Sequence, residues 1–108
     1  MSFFSALFKK PAWLLTPDAF RQKMKEAGKD KKLVDVRTPA EFSSDAIKGA
    51  VNVNIQSEDF LKRVRKLPKD KTYLVYCRSG HRSKAAVKMM MAEGLAAFSL
   101  SGGLMNYK

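Results

Sequence analysis

A chain of 108 residues, 45% hydrophobic and 29% charged, has room for one domain with one modest core, in the composition of a soluble globular protein. One cysteine excludes an internal disulfide and any cysteine-rich metal site, and one histidine leaves no ligand cluster, so neither a metal nor another cofactor is expected. The net charge of +11 reads as a solvated basic surface or as attraction for anions; nucleic acid is not expected, because the basic residues are dispersed and no binding module is present.

Residues 1–11 form a short apolar and basic segment, and the domain proper is expected over residues 12–108. As a helix, the segment stacks Phe3, Phe4, Leu7 and Phe8 on one side, ahead of Lys9 and Lys10, and Pro11 ends it. It is too short to span a bilayer and lacks the basic start and cleavage site of a signal peptide. Two readings stand. One is a peripheral membrane or partner dock made by residues 1–10, with aromatics at the boundary and lysines at anionic groups. The other is a tail that packs on the domain or on another subunit, or frays in solution.

Ala12 to Leu15 reads as a short edge strand. Thr16-Pro17-Asp18 supplies a helix cap, a proline at the first position and an acidic first turn, and Gly28 stops the helix. Lys29 to Lys32 reads as a solvated turn, and Leu33 to Val36 as a buried parallel strand. Thr38 caps a short helix over Pro39 to Ser43, and Val51 to Asn54 is the next strand. Ser57-Glu58-Asp59 opens a helix that turns Phe60, Leu61, Val64 and Leu67 inward and solvates Lys62, Arg63, Arg65 and Lys66. Thr72 to Tyr76 is a β-branched and aromatic strand, Lys84 to Glu93 a helix stopped by Gly94, and Ala97 to Leu100 a last strand. The methionines Met89 to Met91 read as core filling. Strands alternating with helices at this spacing mean an α/β fold with a mainly parallel sheet flanked by helices on both faces.

The most specific stretch is Cys77-Arg78-Ser79-Gly80-His81-Arg82-Ser83, between the aromatic strand and the helix after it. Open α/β sheets place their ligand sites at such carboxyl ends of strands, where successive N–H groups converge on an anion. A helix N-terminus and nearby cations bring a cysteine from about 8.5 to roughly 3.5–7.5, so Arg78, Arg82 and a protonated His81 favour a thiolate. Gly80 lets the backbone curl tightly, and Ser79 and Ser83 can donate to the sulfur or cap the helix. A reactive free thiol suits a reducing compartment, so a cytoplasmic location is expected, with a membrane-peripheral one if the N-terminal segment docks.

This loop resembles the C-R-S-G-x-R-S active-site loop of single-domain rhodaneses, the rhodanese-like sulfurtransferases. Leu33-Val34-Asp35-Val36-Arg37-Thr38-Pro39-Ala40-Glu41-Phe42 is similar to the family's first signature, L-[IV]-D-V-R-x-P-x-E-[FY]. Ile47 to Val53 and Leu100-Ser101-Gly102-Gly103 are similar to the later I-x-G-A and L-x-G-G blocks. Asp45-Ala46 stands where the family often has Gly-His, and Tyr107 where it often has tryptophan. These departures fall on loop packing or substrate access.

The resemblance implies a rhodanese-like single domain and covalent sulfur transfer. Cys77 is the implied nucleophile, and residues Arg78, Ser79, Gly80, His81, Arg82 and Ser83 hold the substrate. Asp35 and Arg37 are implied to support the site through ion pairing. The donor is a small anion such as thiosulfate, or a persulfide, and the acceptor is cyanide, an external thiol or a protein. Two alternatives remain: a sulfur-carrier or docking module with little turnover on small molecules, and a cysteine phosphatase-like enzyme. The C-x4-R spacing from Cys77 to Arg82 argues against the latter, whose loop is one residue longer to cradle a tetrahedral oxyanion.

Overall fold

The computed structural model describes residues 10–107. Of the segment over residues 1–11 only Lys10 and Pro11 are described, so the readings made on residues 1–9 lie outside the described residues. From Leu14 onward five strands build one entirely parallel sheet: β1 (Leu14–Leu15), β2 (Lys31–Asp35), β3 (Val51–Asn52), β4 (Thr72–Tyr76) and β5 (Ala96–Leu100). Their order across the sheet is β1-β5-β4-β2-β3. The helices between them are α1 (Pro17–Ala27), α2 (Pro39–Ser44), α3 (Phe60–Arg65) and α4 (His81–Ala92).

Alternation along β4 explains how the core divides. Tyr73, Val75 and Cys77 point to the face covered by α3 and α4, where they meet Phe60, Val64, Val87 and Met90. Leu74 and Tyr76 point to the opposite face, where they meet Phe20 of α1 and Leu100. With helices on both faces, a central strand has no solvated side, which is why Thr72–Tyr76 is nearly continuously apolar. No helix among the described residues is long and apolar enough to cross a membrane.

Local signals place α1 as its residues predict: the Thr16 hydroxyl accepts from the Ala19 N–H, Pro17 opens the helix and Gly28 closes it. Several boundaries differ from the expected ones: β1 starts at Leu14 rather than Ala12, β5 at Ala96 rather than Ala97, α2 ends at Ser44, and α3 spans only Phe60–Arg65, which leaves Leu67 beyond it. Three further ones have a clear local cause. Strand β2 starts at Lys31 because Lys31 and Lys32 pair through their backbones with Thr72 and Tyr73 while their side chains stay in water. Strand β3 stops at Asn52 because Asn54 turns the chain, accepting from Gln56 and Ser57 N–H groups. Helix α4 starts at His81, since Gly80 at φ +104° aims its carbonyl at the Lys84 N–H and closes a first turn there. Of the three methionines only Met90 is buried, and Met91 is turned to solvent.

Candidate active site

Cys77 leaves the carboxyl end of β4, and its sulfur lies under the turn that follows. The Gly80 N–H donates to Sγ at 3.0 Å and the Ser83 N–H at 3.4 Å. Two backbone donors converging on one sulfur are fixed partial charges that favour an anion there. The Ser83 hydroxyl lies 3.5 Å from the sulfur, donates to the Gly80 carbonyl and meets the Ser99 hydroxyl at 2.8 Å. Ser83 and Ser99 are both wholly buried, so this hydroxyl pair ties the loop to β5. Cys77 is itself only 1% exposed.

The floor of the loop comes from the chain end. The Leu104 N–H donates to the Cys77 carbonyl at 2.8 Å and the Met105 N–H to the Arg78 carbonyl at 3.1 Å. Gly103 makes this approach feasible: a Cβ there would stand 2.4 Å from the Arg78 carbonyl oxygen, and φ is +65°. Backbone cannot yield at that spacing as a flexible side chain would. Gly103→Ala is therefore expected to cost about 1–3 kcal/mol of stability and to displace the loop. Urea melts and amide shifts at Ser79 and Gly80 check this, and a variant as stable as the parent would refute it.

Beside the loop, Asp35 and Arg37 form a buried ion pair, 0% and 1% exposed. Arg37 Nη2 and Nε reach the carboxylate at 2.7 to 3.1 Å, and the Arg37 backbone N–H adds a bond at 2.9 Å. The Asp35 carboxylate holds the guanidinium firmly charged, against the pull of burial. Asp45 supplies a further carboxylate contact at 3.2 Å and a carbonyl acceptor. The residue that departs from the family pattern is thus part of this clamp. The Asn52 side-chain amide spans the Asp35 and Arg37 carbonyls at 3.0 and 2.9 Å. Burial keeps the neighbouring Tyr76 phenol protonated, and its oxygen accepts from the Ile47 N–H.

Arg82, in the first turn of α4, gives both terminal nitrogens to Glu41 of α2 at 2.7 and 2.9 Å. Glu41 also closes a capping box with Thr38, so one carboxylate fixes a helix start and a loop arginine together. The Arg82 guanidinium holds the Glu41 carboxyl at about 2, below the usual 4.5. A carboxyl lowered by folding stabilises the native state above pH 4.5, and that contribution fades as pH falls toward 2. Glu41→Gln is expected to flatten the acid limb of the stability curve in this window and to loosen Arg82. Parallel urea melts at pH 6 and pH 3 check it, and an unchanged pH 6 to pH 3 difference would contradict it.

Of the residues singled out from sequence, Cys77, Gly80 and Ser83 are brought together around one sulfur. Arg78, Ser79 and His81 are exposed on the outer side of the loop. Arg78 lines a small opening of about 150 Å³ with Arg37, Asp45, Leu104 and Met105. Several contributors escaped the sequence reading of the site, among them Asn52, the N–H groups of Leu104 and Met105, Ser99, and Glu41, which is visible only as part of a signature. The Thr38-x-x-Glu41 spacing announces a capping box, but nothing local announces the arginine 41 residues on. Among the described residues no group of His, Cys, Asp and Glu could hold a metal ion.

Comparison with known proteins agrees with this geometry. A model of the rhodanese-like domain matches residues 16–108. The chain is 37% identical over 73 residues to a sulfurtransferase of Allochromatium vinosum, covering 67% of this chain and 66% of that protein. It is 34% identical over 79 residues to a tRNA sulfurtransferase of Desulfurococcus amylolyticus, covering 73% of this chain but 15% of that protein. In structure it resembles a rhodanese-like domain protein of Staphylococcus aureus, with a TM-score of 0.75 and 26% identity over 88% of this chain and 90% of that one. Sheet, loop and family model point the same way: this chain belongs to the rhodanese-like domain family, among relatives named as sulfurtransferases.

Proposed function

We propose that the protein moves sulfane sulfur from thiosulfate or a persulfide donor to a thiophilic acceptor, through a persulfide on Cys77. The observation that carries this reading is the pair of N–H groups from Gly80 and Ser83 aimed at Sγ. In the first half-reaction the Cys77 thiolate attacks the outer sulfur of thiosulfate. A Cys77 S–S bond forms, the donor S–S bond breaks, and sulfite leaves with the electron pair. Arg78, at the opening beside Arg37, meets the anionic donor and the departing anion. In the second half-reaction cyanide or a thiolate attacks the outer sulfur of the persulfide and frees the Cys77 thiolate. The chain has one cysteine, so the acceptor thiol comes from another molecule. A free thiol cycling in this way suits a reducing compartment such as the cytoplasm.

A carrier role, loaded by one protein and unloaded by another, is the second reading. The net charge of +11 and the exposed Met105, 62% accessible beside the opening, favour it. Intact mass after incubation with thiosulfate tests the first reading. A gain of about one sulfur atom, removed by cyanide as thiocyanate, is the expected result. An adduct formed only from a protein persulfide moves the assignment to the carrier, and no adduct from either donor removes both.

A further inference from the structure

Strand β2 is longer than its outer neighbour. It pairs with β4 along its whole length, from Lys31 to Asp35. With β3 it pairs only at Val34 and Asp35. Among the described residues, Lys31, Lys32 and Leu33 therefore have no strand beside them on that side. The chain that leads into β3 does not fill the gap: Ala50 N–H bonds back to the Ile47 carbonyl, and Gly49 turns at φ +90°. On that side the Lys31 N–H is taken by the Gly28 carbonyl, so the Lys31 carbonyl and the Leu33 N–H are what an extended segment can pair with as a further strand.

Two recesses flank this notch, one on each face of the sheet. On the α3 side a recess of about 220 Å³ is apolar, floored by Val34, Val53, Leu67, Pro68 and Tyr73. On the α1 side a recess of about 390 Å³ has Leu33, Met24 and Ile47 in its floor and Lys29, Lys31, Lys32 and Lys48 on its rim. Val51, half exposed, lines both. No carboxylate lines either recess. The nearby Asp30 is paired with Lys71.

Residues of an added strand point alternately to the two faces. We propose that the open edge at Lys31–Leu33 binds an extended segment of an acidic partner protein, with apolar residues entering the Val53 recess and acidic residues meeting the lysines. Pairing with these two groups and filling of the Val53 recess supply the affinity, and the unlike recesses set the register. The notch lies at the amino end of β2, whereas Cys77 lies at the carboxyl ends of the strands, about 15 Å away for five residues. A partner held there leaves the catalytic loop open, so docking and sulfur transfer can proceed together.

The test is an amide chemical-shift titration of the full chain with a capped nonapeptide of alternating glutamate and valine. Shifts are expected at Lys31, Lys32, Leu33 and Val51, with none at Ser79 or His81. Lys32→Glu combined with Lys48→Glu is expected to weaken binding by about tenfold or more, leaving any thiosulfate turnover as it is in the parent. The same peptide with alternate amides N-methylated is expected not to bind. Equal binding by the N-methylated peptide would reduce the site to surface charge and overturn the proposal. So would equal binding by a lysine–valine peptide, displacement by a single-stranded oligonucleotide at equal charge, or self-association of the chain through this edge.

Discussion

Replacing Cys77 with serine is expected to abolish persulfide formation and all sulfur transfer while leaving the fold intact. The substitution is nearly isosteric, and a serine hydroxyl can accept from the same Gly80 and Ser83 N–H groups that now reach Sγ. The Ser83–Ser99 pair and the bonds from Leu104 and Met105 do not involve the sulfur, so the loop keeps its ties. What disappears is the only atom in the chain that can hold a second sulfur, since an alkoxide is not available near neutral pH and no other cysteine can substitute. Intact mass after thiosulfate and thiocyanate release check the chemistry, and circular dichroism checks the fold. Residual sulfur loading of Cys77→Ser would show that the nucleophile lies elsewhere.

Asp35→Ala is expected to produce the largest loss of stability of any single change near the site. It leaves the Arg37 guanidinium, 1% exposed, facing a cavity where its bidentate partner stood. Asp45 remains, but its side chain is 70% exposed and makes one contact with Nη1. Stranding a buried charge in this way costs about 3–5 kcal/mol, against a total of about 5–15 kcal/mol for a domain. Replacing both partners with apolar residues of similar volume should restore much of the loss, because no charge is then left unpaired. Urea midpoints for the two variants decide the point. A loss below about 1 kcal/mol for Asp35→Ala would mean the pair behaves like a surface ion pair.

The parts of this molecule that can be read from sequence are those decided within a few residues. Thr16, Pro17 and Gly28 bound α1 because a cap, a fixed φ and a positive φ act locally. The Cys77–Ser83 loop is legible for the same reason, since the sulfur and the two N–H groups that meet it belong to one turn. Strand β4 is legible because a strand buried on both faces has to be apolar throughout. What escaped depends on which strand ends become neighbours in a parallel sheet. Ser99 meets Ser83 only because β5 lies beside β4, and Glu41 meets Arg82 only because α2 and α4 start at the same end of the sheet. The extension of β2 through two lysines has the same origin, as the backbone of β4 recruits residues whose side chains read as a turn.

The loop's floor ties the thiol's shelter to residues far along the chain. Leu104 and Met105 donate to the carbonyls of Cys77 and Arg78, and Gly103 presses against the same stretch. None of the loop's own residues supplies these bonds, so the turn gains its floor only once β5 lies beside β4 and brings Ser99 and Gly103 to it. In an unfolded chain the cysteine is neither buried nor held under the turn. Oxidation of this thiol is accordingly a greater hazard in the unfolded chain than in the folded protein. A chain that has lost Gly103 to Met105 keeps the cysteine and lacks the floor of its turn.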